Sequence, residues 1–247
     1  MIQIIDLHKS FNGQKVLDGI NLTMPTGQIT VVIGKSGVGK SVLLKHIIGL
    51  LRPDQGQILV DGQDISHLKG RSLQDYKKRF AVLFQGGALF DSLNVFENIA
   101  FPLREKTRLA EAEIHRRVLA RLEEMHLDPE VGRKFPAELS GGMKKRVALA
   151  RAMIQEPEII FFDEPVTGLD PPMCNTVFHL INKTHKASGY TALVVSHDLP
   201  EVFQVAHQVA MLHQGRIIAS GAPAEIQGHA DPVVQGFIRG EVDFFGG

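Results

Sequence analysis

The stretch ITVVIGKSGVGKS, residues 29–41, decides the fold of this chain. Its second part fits the pattern Gly-x-x-x-x-Gly-Lys-Ser/Thr, between an apolar strand predicted at 28–33 and a helix predicted from about Gly39 to Leu50. The strand is apolar on both faces, which is typical of a central strand that is covered on two sides in an α/β sheet. The stretch therefore predicts a sheet strand that leads into a phosphate-binding loop.

The residue types in this loop have chemical reasons to bind phosphate. Glycines let the backbone curl so that N–H groups face an anion, and the start of the next helix adds positive partial charge. Lys40 is expected to reach the β- and γ-phosphates of a nucleoside triphosphate, and the hydroxyl of Ser41 to ligate Mg²⁺. A chance glycine-rich turn is the alternative, with odds on the order of one per cent from composition. The predicted nucleotide-binding residues of the loop are Gly34, Ser36, Gly37, Gly39, Lys40 and Ser41.

A second apolar stretch, IIFFDE at residues 159–164, ends in two carboxylates. Because sites in α/β sheets lie beyond the carboxyl ends of the strands, both side chains are expected at that edge. Asp163 suits indirect coordination of Mg²⁺, and Glu164 can polarise an attacking water as a general base. An ordinary acidic turn is the alternative for this stretch alone, but the phosphate loop in the same chain favours the catalytic interpretation.

The composition limits the class of protein. The 247 residues include 27 Lys and Arg and 27 Asp and Glu, so the formal net charge is +0. A chain that neutralises nucleic-acid phosphates usually has a basic excess, so no nucleic-acid partner is expected. For the same reason, the basic runs at 77–79 and 144–146 are interpreted as solvated helix faces. The single cysteine, Cys174, cannot form an intrachain disulfide and favours a reducing compartment.

The sequence also bears on the cellular compartment. The N-terminal residues MIQIIDLHKS lack the basic start, long apolar stretch and cleavage site of a signal peptide. No apolar run approaches the roughly 20 residues that span a bilayer. We therefore expect the chain to stay in the cytoplasm, where any work at a membrane would require another subunit to hold it.

Hydrophobic periodicity predicts an α/β domain with a helical insertion. Apolar residues at spacings of 4, 4 and 3 predict an amphipathic helix over about 109–127, and another helix is expected to start after Ser140 and to run to about Ile154. The predicted fold class is α/β, with a mostly parallel sheet, a small antiparallel β portion and an inserted α-helical subdomain. Further strands are predicted at 2–7, 20–24, 57–60, 80–84, 158–163, 191–196 and 208–212. The single domain, 1–247, would comprise an α/β core at 1–85 and 156–230, the helical subdomain at 86–155 and a C-terminal tail at 231–247.

The segment LSGGM, residues 139–143, precedes the acidic strand. Ser140 is a good helix N-cap, and Gly141 and Gly142 leave N–H groups bare at a helix start, which predicts a second anion site. With this segment the chain resembles the ATP-binding-cassette (ABC) ATPases, whose motif is Leu-Ser-Gly-Gly-Gln. The resemblance covers about residues 2–225 and implies an ABC-type P-loop core, ATP and Mg²⁺ as cofactors, and ATP hydrolysis. It also implies a head-to-tail homodimer in which each signature segment caps the nucleotide held by the opposite phosphate loop.

Further residues of the chain match functional positions of that family. The resemblance implies that Phe11 stacks on adenine, although a core phenylalanine in an early strand is the alternative. Gln85 would touch Mg²⁺ and the attacking water, Asp170 would lie in the loop that crosses the dimer interface, and His197 would contact the γ-phosphate. The implied catalytic residues are thus Glu164, His197 and Gln85, and the implied metal ligands are Ser41, Gln85 and Asp163. Met143 departs from the motif, because methionine cannot make the hydrogen bond to ribose that glutamine could.

A finer resemblance is to the ATPase subunit of MCE-type lipid transporters, the maintenance-of-lipid-asymmetry group. It is carried by FQGGALF at 84–90, NVFENIAFPLRE at 94–105 and the Met form of the signature. It implies a multispanning membrane permease and an MCE-domain protein as partners, and a peripheral position on the cytoplasmic face of the inner membrane. The segment after Gln85 would line a groove for a short helix of the permease, with apolar anchors at Ala88, Leu89, Phe90 and Phe101. Core contacts of the helical insertion are the alternative for these four residues.

Two other functions stay open at this point. The chain could serve an ABC importer or exporter of another substrate, or it could be a soluble ABC protein without a transport role. At the C-terminus, Asp231 and Pro232 predict the start of a helix. Phe244 and Phe245 would then dock on a neighbouring subunit or belong to a disordered tail.

Overall fold

The computed structural model describes residues 1–241, and the predicted docking residues Phe244 and Phe245 lie outside them. Two compact units make up the chain: Met1–Arg79 together with the chain from Gly189 onward, and Phe80–Ser188. The strands are β1 (Ile2–Phe11), β2 (Gln14–Met24), β3 (Ile29–Ile33), β4 (Gln55–Val60), β5 (Gln63–Asp64), β6 (Phe80–Leu83), β7 (Ile159–Asp163), β8 (Thr191–Ser196), β9 (Gln208–His213) and β10 (Arg216–Gly221). The α-helices are α1 (Lys40–Ile47), α2 (Gly70–Lys78), α3 (Val95–Lys106), α4 (Glu111–Glu124), α5 (Gly141–Met153), α6 (Pro171–Ser188), α7 (Pro223–Gln227) and α8 (Pro232–Ile238).

The first unit contains an antiparallel sheet in the order β2-β1-β4-β5. Its register pairs Ile2 with Met24 on one side and with Val60 on the other. The hairpin between β1 and β2 turns through Asn12 and Gly13, which both have positive φ (51° and 81°), as a tight two-residue turn requires. This sheet confirms the small antiparallel portion, although β1 and β2 are longer than the sequence predicts.

The first unit also contains parallel strands. β3 pairs in parallel with β8 and with β9, so that Val31 lies beside Val194 and Val209. All five residues of β3 are buried, which confirms that the strand is covered on both faces. β10 extends the array as an antiparallel neighbour of β9. The strand that leads into the phosphate loop is therefore central, as predicted.

The second unit combines a pair of parallel strands with helices. β6 and β7 pair in parallel, with Leu83 beside Phe162, so their carboxyl ends meet at one edge. Residues 86–155 form α3, α4, α5 and two 3₁₀ helices, Pro129–Arg133 and Pro136–Glu138. The apolar stripe of α4 is buried as predicted: Ile114, Val118, Leu122 and Met125 are each at most 2% exposed. The exact subdomain boundaries at 86 and 155 stay a prediction.

Several elements differ from the predictions. Sequence patterns did not reveal α2 or α3, and α3 contains Pro102, which pattern reasoning places outside helices because it lacks an N–H donor. The interpretation of residues 144–146 as a solvated helix face is wrong for Lys145, which is 6% exposed. Arg146 donates to the carbonyl of His126 at 2.8 Å, and burial lowers the pKa of its guanidinium.

The C-terminal helix α8 begins where the sequence predicts. The Asp231 carboxylate accepts a hydrogen bond from the Val233 N–H at 2.7 Å, and Pro232 occupies the first turn, where its missing N–H costs nothing. Among the helices described for residues 1–241, none combines the length and apolar character that a membrane crossing needs.

Candidate nucleotide and catalytic site

The phosphate loop of the first unit curls around the ammonium group of Lys40. This side chain is only 4% exposed, and its Nζ donates to the carbonyls of Gly34 and Lys35, each at 2.8 Å. Gly34 has φ +154°, and a Cβ at this position would lie 2.3 Å from the carbonyl oxygen of Leu212. A side chain at position 34 would therefore force the loop away from β9, which explains the glycine in physical terms.

The start of α1 suits an anion. Its N-cap residue, Gly39, has φ 106° and makes no side-chain capping bond, and the first turn carries no acidic residue. The positive end of the helix dipole therefore has no acidic residue within its own first turn. Ser41 lies half-buried in this first turn. The loop and the helix start together form an arrangement that fits phosphate groups.

His197 lies close to the same loop. It follows β8 as an exposed residue, in a turn where the Asp198 N–H donates to the Ser196 hydroxyl at 3.0 Å. An open cavity of about 470 Å³ is lined by Lys35, Ser36 and His197, and also by Leu199 and residues 237–241 of the C-terminal segment. The structure therefore brings His197 and the phosphate loop to one cavity, as the predicted contact with a γ-phosphate requires.

In the second unit, Asp163 is the last residue of β7 and Glu164 follows it. Asp163 and Glu164 are half-buried, and Glu164 has φ 49°, in the left-handed region that a non-glycine residue rarely adopts. The Oγ1 of Thr167 donates to the Oε2 of Glu164 at 3.1 Å, which orients the carboxylate. Sequence reasoning missed Thr167, although its place three residues after Glu164 in a tight turn was an available signal.

Gln85 lies just beyond the end of β6, as predicted, and its side chain is exposed. Its backbone carbonyl accepts a hydrogen bond from the Nζ of Lys145, which also donates to the carbonyl of Glu164 at 3.4 Å. Because β6 and β7 are parallel neighbours, Gln85 and Glu164 follow strand ends at the same edge. Sequence reasoning missed Lys145, since nothing local marks this lysine as buried.

The signature segment begins α5. The Ser140 hydroxyl accepts from the Met143 N–H at 3.3 Å, which confirms Ser140 as the N-cap. Ser140 and Gly141 are exposed, and the first turn of α5 carries no acidic residue. A Cβ on Gly142 would lie 2.8 Å from the Sδ of Met173, so glycine lets this helix start approach α6 closely. Of the three residues in the predicted second anion site, Ser140 and Gly141 are thus accessible, and Gly142 is buried against α6.

The structure also shows the contacts of two other predicted site residues, Asp170 and Phe11. The Oδ1 of Asp170 accepts from the Met173 N–H at 2.9 Å, so this carboxylate stabilises the start of α6, a contact the sequence reasoning did not consider. Phe11 ends β1 with 41% of its surface exposed, and the Nζ of Lys9 lies 5.4 Å from its ring centroid. The alternative that Phe11 is a core residue is therefore wrong, and the Lys9 ammonium lies over one face of its ring.

The oxygen donors predicted for a metal fit magnesium. They are the hydroxyl of Ser41, the amide of Gln85 and the carboxylate of Asp163, and Mg²⁺ prefers oxygen ligands and retains several waters. In the first unit Ser41 is half-buried, and in the second unit Gln85 is exposed and Asp163 is half-buried, so solvent reaches each of these oxygen donors.

An apolar patch lies on the surface of the second unit. We use the name Phe90 patch for the exposed residues Phe84, Ala88, Phe90 and Phe101. The rings of Phe90 and Phe101 lie 4.8 Å apart with 42% and 38% of their surfaces exposed. Leu89 is half-buried beside them. The alternative that these residues are core contacts is therefore wrong for Ala88, Phe90 and Phe101.

Comparisons with known proteins agree with this geometry. Residues 17–167 match the model of the family described as ABC transporter. The chain is 41% identical, over 98% of its length and 90% of the relative, to the intermembrane phospholipid transport system ATP-binding protein MlaF of Escherichia coli strain K12. It is 40% identical, over 97% of its length and 66% of the relative, to the probable ribonucleotide transport ATP-binding protein mkl of Mycobacterium tuberculosis.

A solved structure extends the likeness to the fold. The dimeric ATP-binding cassette MJ0796, in a post-hydrolysis state bound to ADP and Pi, superposes with a TM-score of 0.82 at 27% identity, over 90% of this chain and 99% of that chain. The predicted α/β fold class and the predicted ATPase activity are thereby confirmed. From its family match and its relatives, the chain belongs to the ABC transporter family, as a nucleotide-binding cassette that hydrolyses ATP.

Proposed function

We propose that this chain is the ATPase subunit that powers a multispanning phospholipid permease of a bacterial inner membrane, from its cytoplasmic face, in a complex that includes an MCE-domain protein. The observation that carries the proposal is the identity of 41% to MlaF over nearly the whole chain. The segments at 84–90 and 94–105 support it, because they resemble the ATPases of MCE-type transporters.

For the reaction, we assign the binding of ATP to the phosphate loop and to Phe11. The Lys40 ammonium and the N–H groups at the start of α1 would hold the β- and γ-phosphates, and the ring of Phe11 would stack on adenine. Ser41, Gln85 and Asp163 would hold Mg²⁺, which when bound neutralises charge on the phosphate oxygens. His197 would donate to the γ-phosphate from the wall of the cavity near Ser36.

Hydrolysis needs an activated water in line with the bond that breaks. The Glu164 carboxylate would accept a proton from that water as its oxygen attacks the γ-phosphorus and ADP leaves. The hydrogen bond from Thr167 would hold the Glu164 carboxylate in the orientation that accepts this proton. In the homodimer, Ser140, Gly141 and Gly142 of one chain would bind the γ-phosphate on its partner, with Asp170 in the loop that crosses the interface.

The Phe90 patch is the surface that we assign to the permease. Its apolar rings suit the apolar face of a short helix, and the balanced net charge favours an apolar rather than an electrostatic attachment. Arg151 lies 5.5 Å from the Phe90 ring centroid, close enough for a cation–π contact that holds the ring in place.

Co-purification tests this attachment. The wild-type chain is expected to purify from detergent-solubilised membranes with a multispanning permease, and Phe90→Ser with Phe101→Ser should lose the permease while still binding ATP. Phe135→Ser is the matched control, because Phe135 is 45% exposed outside the patch. A wild-type chain found only as a free protein would favour the soluble ABC alternative.

The substrate needs its own measurement, because one relative carries the name of a ribonucleotide transport protein. The purified complex in proteoliposomes should transport a labelled phospholipid in an ATP-dependent manner. It should not transport ribonucleotides. Transport of the ribonucleotide alone would replace the lipid assignment and leave the ATPase assignment intact.

A further inference from the structure

Lys145 is a buried lysine in the second unit that the assigned reaction does not use. It lies in α5, five residues after Ser140, with 6% of its surface exposed. Burial of an ammonium group is costly unless hydrogen bonds compensate for the lost water. The Nζ donates to two backbone carbonyls, those of Gln85 and Glu164. Both acceptors belong to residues with assigned roles in hydrolysis.

The two carbonyls lie where the backbone needs support. Gln85 follows the end of β6, and Glu164 follows the end of β7 with φ 49°. A non-glycine residue holds this left-handed conformation at a cost, and it persists only when surrounding contacts enforce it. A cation that bonds both carbonyls stabilises the turn at Glu164 and sets its distance from the segment that carries Gln85.

A second cation of the same helix holds the same segment. Arg151 donates to the carbonyls of Gly87 and Ala88, each at 2.8 Å, and burial lowers the pKa of its guanidinium. The backbone of residues 85–88 is therefore attached to α5 at three carbonyls. Since α5 starts with the signature Ser140, the signature helix and the Gln85 segment are expected to move as one body.

We propose that Lys145 is a positioning residue for hydrolysis, which sets the placement of Gln85 and Glu164 relative to each other and to the signature helix. The inference rests on the proposed catalytic roles of Gln85 and Glu164. Loss of the ammonium should slow turnover and spare ATP affinity, because the phosphate-binding ammonium of Lys40 is held within its own loop.

Steady-state ATPase measurements on the full chain test this. Lys145→Met removes the charge and all donors while it keeps a similar length, so kcat should fall roughly 10-fold or more with KM within about threefold of the wild type. Lys145→Gln keeps a donor and should recover part of the loss. Lys144→Met is the matched control, because half-buried Lys144 is the adjacent lysine and makes neither carbonyl contact, and it should leave kcat unchanged.

Two further measurements separate positioning from folding. Turnover is expressed per mole of bound ATP analogue, so an unfolded fraction cannot imitate a slow chemical step. Gln85→Ala should lower kcat by itself, and addition of Lys145→Met should then cost less than it does in the wild type, because both changes act on the same step. If Lys145→Met does not fold, the same comparisons are made with Lys145→Gln, and they test the positioning role in its place.

The outcomes distinguish this inference from the proposed function. Wild-type kcat per bound nucleotide in Lys145→Met, or an equal loss in Lys144→Met, would overturn the positioning role. Full additivity with Gln85→Ala would overturn it as well. If Glu164→Gln hydrolyses ATP at the wild-type rate, the proposed role of Glu164 in hydrolysis is overturned. That result does not depend on the Lys145 variants.

Discussion

Thr167 donates a hydrogen bond from its Oγ1 to the Oε2 of Glu164, across 3.1 Å. The two residues face each other within the turn that follows β7, where Glu164 has positive φ. A carboxylate that accepts a proton from water must be oriented toward that water as well as ionised. The hydrogen bond from Thr167 limits the rotation of the Glu164 side chain. The pair therefore links the local backbone geometry to the chemical step.

Glu164→Gln keeps the shape and an oxygen acceptor for Thr167 but removes the general base. Hydrolysis should fall by about 10²–10⁴-fold, the usual contribution of a positioned acid or base, while ATP binding is retained. Phosphate release measures the rate, and gel filtration with ATP should detect a long-lived dimer. Undiminished hydrolysis would remove Glu164 from the role assigned to it.

Thr167→Val removes the hydroxyl and keeps the β-branched shape. A hydrogen bond to a charged group contributes about 1.5–3 kcal/mol, so kcat should fall roughly 10- to 150-fold with little change in KM. Thr176→Val is the control, because its hydroxyl donates to the carbonyl of Pro172 within α6. A rise in KM with constant kcat would show that Thr167 acts on binding instead.

Lys40→Ala removes the ammonium around which the phosphate loop curls. ATP affinity should weaken roughly 10-fold or more, because the phosphates lose a charged donor and the carbonyls of Gly34 and Lys35 lose theirs. Isothermal titration with ATP measures the change. Lys45→Ala, on the exposed part of the same helix, should bind like the wild type, and equal losses in both variants would contradict the specific role of Lys40.

The parts of the site that short motifs carry were predictable from the sequence. The loop at 34–41, the strand that ends at Asp163 and the cap at Ser140 each depend on neighbours in the chain, and the structure has these elements at the predicted places. Lys145 was not predictable in this way, because its partner Gln85 lies 60 residues away. A lysine in a basic run is usually solvated, and only the tertiary contacts reverse that expectation.

Helix α3 is a second element that local sequence preference does not predict. Pro102 in its interior costs about 3 kcal/mol in an isolated helix, so local preference opposes a helix there. The available signal was the capping box, in which Asn94 and Glu97 bond each other's backbone N–H groups. The Gln155 amide also donates to the Pro102 carbonyl at 2.7 Å, a tertiary contact that no local pattern contains.

Asp18 of β2 joins this strand to β10 in the first unit. Its carboxylate accepts from Arg216 at 2.6 Å and from Lys15 at 3.1 Å. Chiefly the Arg216 hydrogen bond, and then the Lys15 bond, lower the pKa of Asp18 from 3.8 to about 2. Because the folded chain holds the ionised form more firmly than the unfolded chain does, Asp18 stabilises the fold fully above pH 3.8.

This contribution is lost as the pH falls from 3.8 toward about 2. Asp18→Asn should therefore lower the Tm at pH 7, and its difference from the wild type should shrink as the pH drops below 4, where acid also protonates the wild-type carboxylate. Arg216→Gln should show the same trend, and the two changes together should be less than additive because they break one contact. A Tm difference that is constant from pH 7 to pH 3 would mean that Asp18 acts through its shape and not its charge.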